Sequence, residues 1–161
     1  MSKGIHVAVV GGGIGGLAAA VALRHRGISV AVYEQSGVLR EVGAGIFVYP
    51  NSLRQLERMG LGDALARVGA KVGAGSEYYR MDGTVVGKIL TTDSSGWSGM
   101  DGMHRADILK GLEDAPPSRP NHTGHPGGDL SPDEHGARPV FENGPVGTRH
   151  VAMAAGRVHT V

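Results

Sequence analysis

The stretch "VVGGGIGGL", residues 9–17, places five glycines within six positions, directly behind a run rich in valine. Glycine loses more backbone entropy on folding than any other residue. A cluster this dense in an apolar stretch therefore marks a place where something comes too near the main chain for a side chain to fit. Upstream, Ile5–Val10 is a short, almost wholly apolar run, the pattern of a parallel strand buried on both faces. Downstream, Ile14, Leu17, Ala18, Val21 and Ala22 recur at helical spacing, Arg24, His25 and Arg26 fill the last turn, and Gly27 supplies a stop. Ile28–Glu34 then reads as a second strand.

The glycines thus sit at the strand-to-helix turn of a βαβ unit. Gly11, Gly13 and Gly16 have the G-x-G-x-x-G spacing, with Gly15 inside the same turn. Gly11 permits the tight turn, Gly13 lets a pyrophosphate approach the main chain, and Gly16 lets the helix pack closely on the strand. The free N–H groups and the positive end of the helix dipole then face the phosphates. Ala20, Leu23, Gly27, Val30 and Val32 occupy the packing positions, and Glu34 ends the second strand, where a carboxylate accepts hydrogen bonds from ribose hydroxyls. This turn alone does not separate FAD from NAD, because both present ADP to it.

Bulk properties narrow the function classes. A chain of 161 residues is about one domain long. Sixteen Lys and Arg against fifteen Asp and Glu leave a net charge of +1 with no block of one sign, so neither nucleic acid nor an anionic membrane is an expected partner. The absence of cysteine excludes a disulfide framework, a thiolate metal site and a cysteine nucleophile, and it fits a reducing cytoplasm. The apolar run before the glycines is too short for a signal peptide or a membrane span, so a soluble, cytoplasmic protein is expected.

Two further segments carry a family resemblance. "EQSGVLREVGAGIFVYPNSLRQLERMGLGDAL", residues 34–65, and "HRADIL", residues 104–109, resemble the single-component FAD-dependent aromatic hydroxylases of the salicylate and hydroxynicotinate hydroxylase type. The likeness runs over roughly residues 4–113. It implies FAD as cofactor, Glu34 and Gln35 on the adenosine ribose, Gly45 and Ile46 of the "GAGI" segment beside the flavin, and Arg105 in contact with the cofactor. It also implies NAD(P)H as electron donor, O2 as co-substrate and hydroxylation of a small aromatic substrate. Phe47 stands where some relatives place a polar active-site residue. A phenylalanine transfers no protons, so acid–base help must come from elsewhere. No Ser-His-Asp or paired-carboxylate arrangement is evident, and the catalytic residues stay unassigned.

Between those segments the residues read as scaffold. Leu53, Leu56 and Met59 form a helix's buried stripe ended by Gly60, and Asp63 is placed to cap a following helix with Leu65 and Val68 inside. "GSEYYRMDGTVVGKIL", residues 75–90, has Asp82-Gly83 between β-prone runs, a hairpin signal. Tyr78 and Tyr79 there either pack or face a substrate, with packing the commoner role. Taken alone, Arg105 is a surface residue at a helix start.

After Glu113 the composition changes, since residues 114–161 hold seven of the eight prolines, five of the eight histidines and a single leucine. That is a poor core-former. Residues 122–144 nevertheless keep the outline of the family's next two strands, with "FENG" at a turn, and "VAMAAGRVHTV" resembles a further strand. Pro126, Gly127 and Gly128 interrupt the first of these, and Gly156-Arg157 stand where the family has Asp-Gly. His122, His125 and His135 have no carboxylate partner at ligand spacing, so no metal site is expected.

The expected fold is α/β: a three-layer Rossmann-type parallel sheet with flanking helices, incomplete, with a partly irregular C-terminal tail. Residues 1–113 form the FAD-binding region and residues 114–161 a degraded or truncated continuation of it. The expected function is that of an N-terminal portion of an FAD-dependent aromatic monooxygenase. Related readings are an FAD-binding module without catalysis and an NAD(P)-dependent dehydrogenase. Oligomeric state is left open by the sequence.

Overall fold

A computed structural model describes residues 4–37, 44–73, 75–116, 121–127, 129–134, 136–147 and 150–155. Chain order begins β1 (His6–Val10), α1 (Ile14–Arg24), β2 (Ser29–Tyr33), β3 (Gly45–Val48) and α2 (Pro50–Arg58). It continues with α3 (Gly62–Ala66), β4 (Ala70–Lys71), β5 (Glu77–Tyr79), β6 (Val85–Lys88), β7 (Asp101–His104) and α4 (Arg105–Glu113). The remaining elements are β8 (Asp129–Asp133), β9 (Gly136–Phe141), β10 (Gly144–Pro145) and β11 (Val151–Ala154). Two compact units emerge, one of residues 1–41 with 109–161 and one of residues 42–108.

The first unit is built on a parallel sheet in the order β11-β1-β2. Alternation along β1 sorts its side chains onto two faces. Val7 and Val9 share a face with Val30 and Val32 of β2, and all four are buried. The opposite face carries Ala8 and Tyr33 into a cluster with Phe141 of β9, flanked by Val10, Ala31, Val146 and Ala152. Both faces are covered, which is why the strand sequence is a continuous apolar run rather than an alternating one. Helix α1 joins the parallel neighbours β1 and β2, and Gly27 ends it with φ +74°. Its buried stripe is Gly16, Leu17, Ala20, Val21 and Arg24, whereas Ile14, Ala18 and Ala22 are half-buried. Arg24 is buried, and its guanidinium donates to the Val30 carbonyl at 3.3 Å.

The proline- and histidine-rich region contributes more structure than its composition suggests. Strand β11 pairs with β1 in register Val7↔Val151 to Val10↔Ala154, so it completes the parallel sheet. Strands β8, β9 and β10 form an antiparallel sheet, with the "FENG" turn between β9 and β10. No strand forms over residues 123–127, where proline removes a ladder donor, and the Pro126 carbonyl instead accepts from the Glu142 N–H at 3.0 Å. Gly156, Arg157 and His135 lie outside the described residues.

The second unit pairs β3 and β4 with β7, all antiparallel, and carries the separate β5–β6 hairpin turned at Asp82-Gly83. Leu53 and Leu56 are buried as expected, and Gly60 has φ +79°. Met59 is only half-buried. The cap of α3 falls on Leu61, with Asp63 one step inside the first turn, and Val68 is 45% exposed. The helix starts before the aspartate, so the side chain favours the dipole rather than capping an N–H. Among the described residues, no helix is long and apolar enough to cross a membrane.

Candidate functional site

The three spaced glycines have three separate physical reasons to be glycine. Gly11 has φ +110°, a region that side chains rarely enter, and its N–H donates to the Tyr33 carbonyl at 2.7 Å. Gly16 lies against the turn: a Cβ built there would be driven into the Gly11 carbonyl oxygen and would sit 3.3 Å from the Ala155 Cβ. Gly13 is the opposite case. A Cβ on Gly13, or on Gly15, meets nothing within 4 Å. The fold itself has no need of glycine at 13, and its N-cap backbone (φ −71°, ψ −178°) is ordinary extended backbone.

That open space lies over the start of α1. The helix has no side-chain cap hydrogen bond and no acidic residue in its first turn. First-turn N–H groups have no acceptor inside a helix, so these donors are left to an outside anion. Their dipole favours one as well.

Glu34 follows β2 and turns its carboxylate back to the loop. One oxygen accepts the Gly12 N–H at 2.6 Å and the other accepts the Ser36 N–H at 2.9 Å. Each oxygen keeps a further lone pair for a hydroxyl donor. A half-buried carboxylate fixed beside a glycine turn is the acceptor that a ribose diol requires. Gln35 is exposed beside it.

Sequence reasoning missed what braces this carboxylate. Residues 122–125 run along the outer edge of β2: the His122 N–H donates to Val32 at 2.8 Å, Glu34 to His122 at 2.8 Å, and His125 to Glu34 at 2.9 Å. The His122 ring stacks on Tyr33, with centroids 4.9 Å apart and planes 14° apart, and His125 meets Tyr33 edge-on at 5.3 Å. The H-x-x-H spacing therefore serves aromatic packing at the edge of β2. No apolar periodicity announced it, because the contacts are main-chain bonds and ring faces from a segment rich in proline and glycine.

The remaining candidates belong to the second unit. Gly45 pairs with His104 and Ile46 with Met103, and the Arg105 N–H donates to the Ala44 carbonyl at 3.1 Å, so Gly45, Ile46 and Arg105 lie together at one end of the β3–β7 ladder. A Cβ on Gly45 would meet only the Met103 carbonyl oxygen, at 3.9 Å, so packing inside the chain leaves room for a side chain there. Arg105 begins α4 and is half-buried. Tyr78 and Tyr79 are exposed, at 53% and 60%, against the expectation that they pack.

Comparison with known proteins follows the same lines. Residues 4–124 match the FAD binding domain family. Over its whole length the chain is 30% identical to 3-amino-4-hydroxybenzoate 2-monooxygenase of Streptomyces cremeus, covering 42% of that protein. Over 55% of its length it is 41% identical to 3-hydroxybenzoate 6-hydroxylase of Polaromonas naphthalenivorans, covering 22% of it. Among solved structures, 2-methyl-3-hydroxypyridine-5-carboxylic acid oxygenase superposes with a TM-score of 0.74 at 25% identity, over 94% of this chain and 39% of the other. For 2,6-dihydroxypyridine-3-hydroxylase from Arthrobacter nicotinovorans the TM-score is 0.69 at 28% identity, over 92% of this chain and 36% of the other. The chain thus spans less than half the length of these relatives.

Proposed function

The chain belongs to the FAD binding domain family, and we propose that it holds the ADP portion of FAD within a monooxygenase that hydroxylates a small aromatic ring at the expense of NAD(P)H and O2. One observation carries this reading: the turn at Gly13–Gly16 leaves open space over uncapped helix donors, with the Glu34 carboxylate fixed beside it. In this assignment the first-turn N–H groups of α1 bind the pyrophosphate, with Gly11, Gly13, Gly15 and Gly16 shaping its seat. Glu34 takes the ribose hydroxyls on its remaining lone pairs, and Gln35 flanks it. Within the second unit, Gly45, Ile46 and Arg105 are the residues that the family resemblance assigns to the cofactor.

FAD, when bound, supplies the redox and oxygen chemistry. The chain's own groups bind, orient and exclude water. The names of the relatives favour a hydroxylated benzoate or pyridine as the ring acted upon, and NAD(P)H is the reductant in this proposal. Residues 1–113 are the main FAD-binding region in this reading. Pairing of β11 with β1 supports treating residues 114–161 as its continuation.

The test is at Glu34. Arginine there removes the ribose acceptor and also frees the Gly12 N–H, so Glu34→Arg should raise the Kd for FAD by about ten- to a hundredfold, or roughly 1.4 to 2.8 kcal/mol. Isothermal titration with FAD measures it. Unchanged affinity would remove Glu34 from the site.

A further inference from the structure

Of the asparagines in the chain, Asn51, Asn121 and Asn143, only Asn143 precedes a glycine. It lies exposed in the turn between β9 and β10. Gly144 behind it has φ +116°, and a Cβ there would meet nothing within 4 Å. The residue after Asn143 therefore has no bulk to keep its main-chain nitrogen from the asparagine side chain. That side chain also carries a structural tie. Its Nδ2 donates to the Gly124 carbonyl at 2.9 Å, the Gly124 N–H donates to the Ser36 carbonyl at 3.1 Å, and the Ser36 N–H donates to a Glu34 carboxylate oxygen at 2.9 Å. A second tie between this turn and the same segment is the Glu142 N–H bond to the Pro126 carbonyl, at 3.0 Å.

We infer that Asn143 is a site of spontaneous deamidation, and that its conversion to an acid loosens the segment bracing the Glu34 carboxylate. The Gly144 nitrogen attacks the side-chain carbonyl carbon of Asn143, and the new C–N bond closes a cyclic imide. The side-chain amide C–N bond breaks, and ammonia leaves with the proton given up by the Gly144 nitrogen. Water then opens the imide at either carbonyl and returns a proton to the nitrogen, leaving aspartate or isoaspartate. Nothing is oxidised or reduced, and the net change is water taken up and ammonia released. This chemistry is what makes asparagine thermolabile. Either product puts a carboxylate in place of the Nδ2 donor, and a carboxylate only accepts. Facing the Gly124 carbonyl, it repels where the amide bound. The path from Gly124 through Ser36 to Glu34 thus loses its outer anchor, and isoaspartate also lengthens the main chain within the turn.

The experiment ages the flavin-free 161-residue chain in mildly alkaline buffer, which favours the deprotonated attacking nitrogen, and follows its peptides by mass spectrometry. The mass gain of an amide-to-acid exchange should appear at Asn143 well ahead of Asn51 and Asn121. Asn143→Asp supplies the aspartate product in pure form, and circular dichroism checks its fold. In that variant the amides of His122, Gly124 and His125, which donate to Val32, Ser36 and Glu34, should exchange with deuterium several-fold faster than in the wild type, while those of β1 keep their rates. FAD should bind the variant about three- to tenfold more weakly, up to the worth of one net hydrogen bond. This last arm alone rests on the cofactor reading of Glu34. No mass gain at Asn143 beyond that at the other asparagines, or unchanged exchange in Asn143→Asp, would overturn the inference. Faster exchange with unchanged FAD affinity would uphold it and count against Glu34 as a cofactor residue.

Discussion

Replacement of Gly13 by valine is expected to abolish FAD binding while leaving the fold intact. The two halves of that expectation have independent grounds. Extended backbone at Gly13 suits a β-branched residue, and a Cβ there meets nothing within 4 Å, so the protein has no internal reason to object. The space it would fill is the one the pyrophosphate needs over the first turn of α1. A side chain there both blocks the approach and shields the donors. Affinity should fall by more than about a hundredfold, equivalent to roughly 2.7 kcal/mol or more. Unchanged far-ultraviolet circular dichroism and thermal midpoint, together with lost flavin binding, are the expected result. A Gly13→Val protein that keeps its FAD affinity would show that the phosphates lie elsewhere.

Gly16→Ala should fail differently. Its new methyl group points into the Gly11 carbonyl oxygen, which is backbone in a positive-φ turn and has little freedom to move. Relief requires α1 to shift away from β1, and α1 buries Leu17, Ala20 and Val21 against the sheet. Overpacking of this kind costs on the order of 3 kcal/mol, about 6 to 12 °C in Tm for a chain of this size. FAD binding should be lost along with stability. The contrast between the two glycines is diagnostic: in the proposed assignment position 13 is kept free for a ligand, whereas position 16 is held by helix packing. A Gly16→Ala protein of wild-type stability would mean that the helix sits farther from the turn than described.

The same contrast shows what could be read from sequence. Spacing alone pointed to the glycines of the turn, and the structure supplies a backbone reason at Gly11 and a packing reason at Gly16, while ligand approach is the reason proposed at Gly13. The strand–helix–strand order was equally legible, since Val7, Val9, Val30 and Val32 bury one face of the parallel sheet and Ala8 and Tyr33 the other. Arg24 was not. The sequence reading placed it only in the last helical turn, whereas it continues the buried stripe of Leu17, Ala20 and Val21, and the carbonyl of Val30 accepts from its guanidinium. The brace on Glu34 was hidden for another reason. His122 and His125 act through main-chain hydrogen bonds and ring stacking, which leave no periodicity in the chain. Strand β11, by contrast, was visible in "VAMA", but its place beside β1 is a pairing between distant segments that no local pattern specifies. The exposed phenols of Tyr78 and Tyr79 went the other way: β-propensity marks an aromatic as a strand residue without saying which side of the strand is covered.

The central claim is that this chain holds FAD by its ADP end, through the glycine turn and Glu34. Calorimetric titration of the purified flavin-free chain with FAD, repeated with ADP present and compared with NADP+, tests it most directly. The expected result is saturable one-to-one binding of FAD, competed by ADP and tighter than NADP+, because a 2′-phosphate would meet the Glu34 carboxylate. Absence of saturable FAD binding, or NADP+ bound as tightly as FAD, would contradict it.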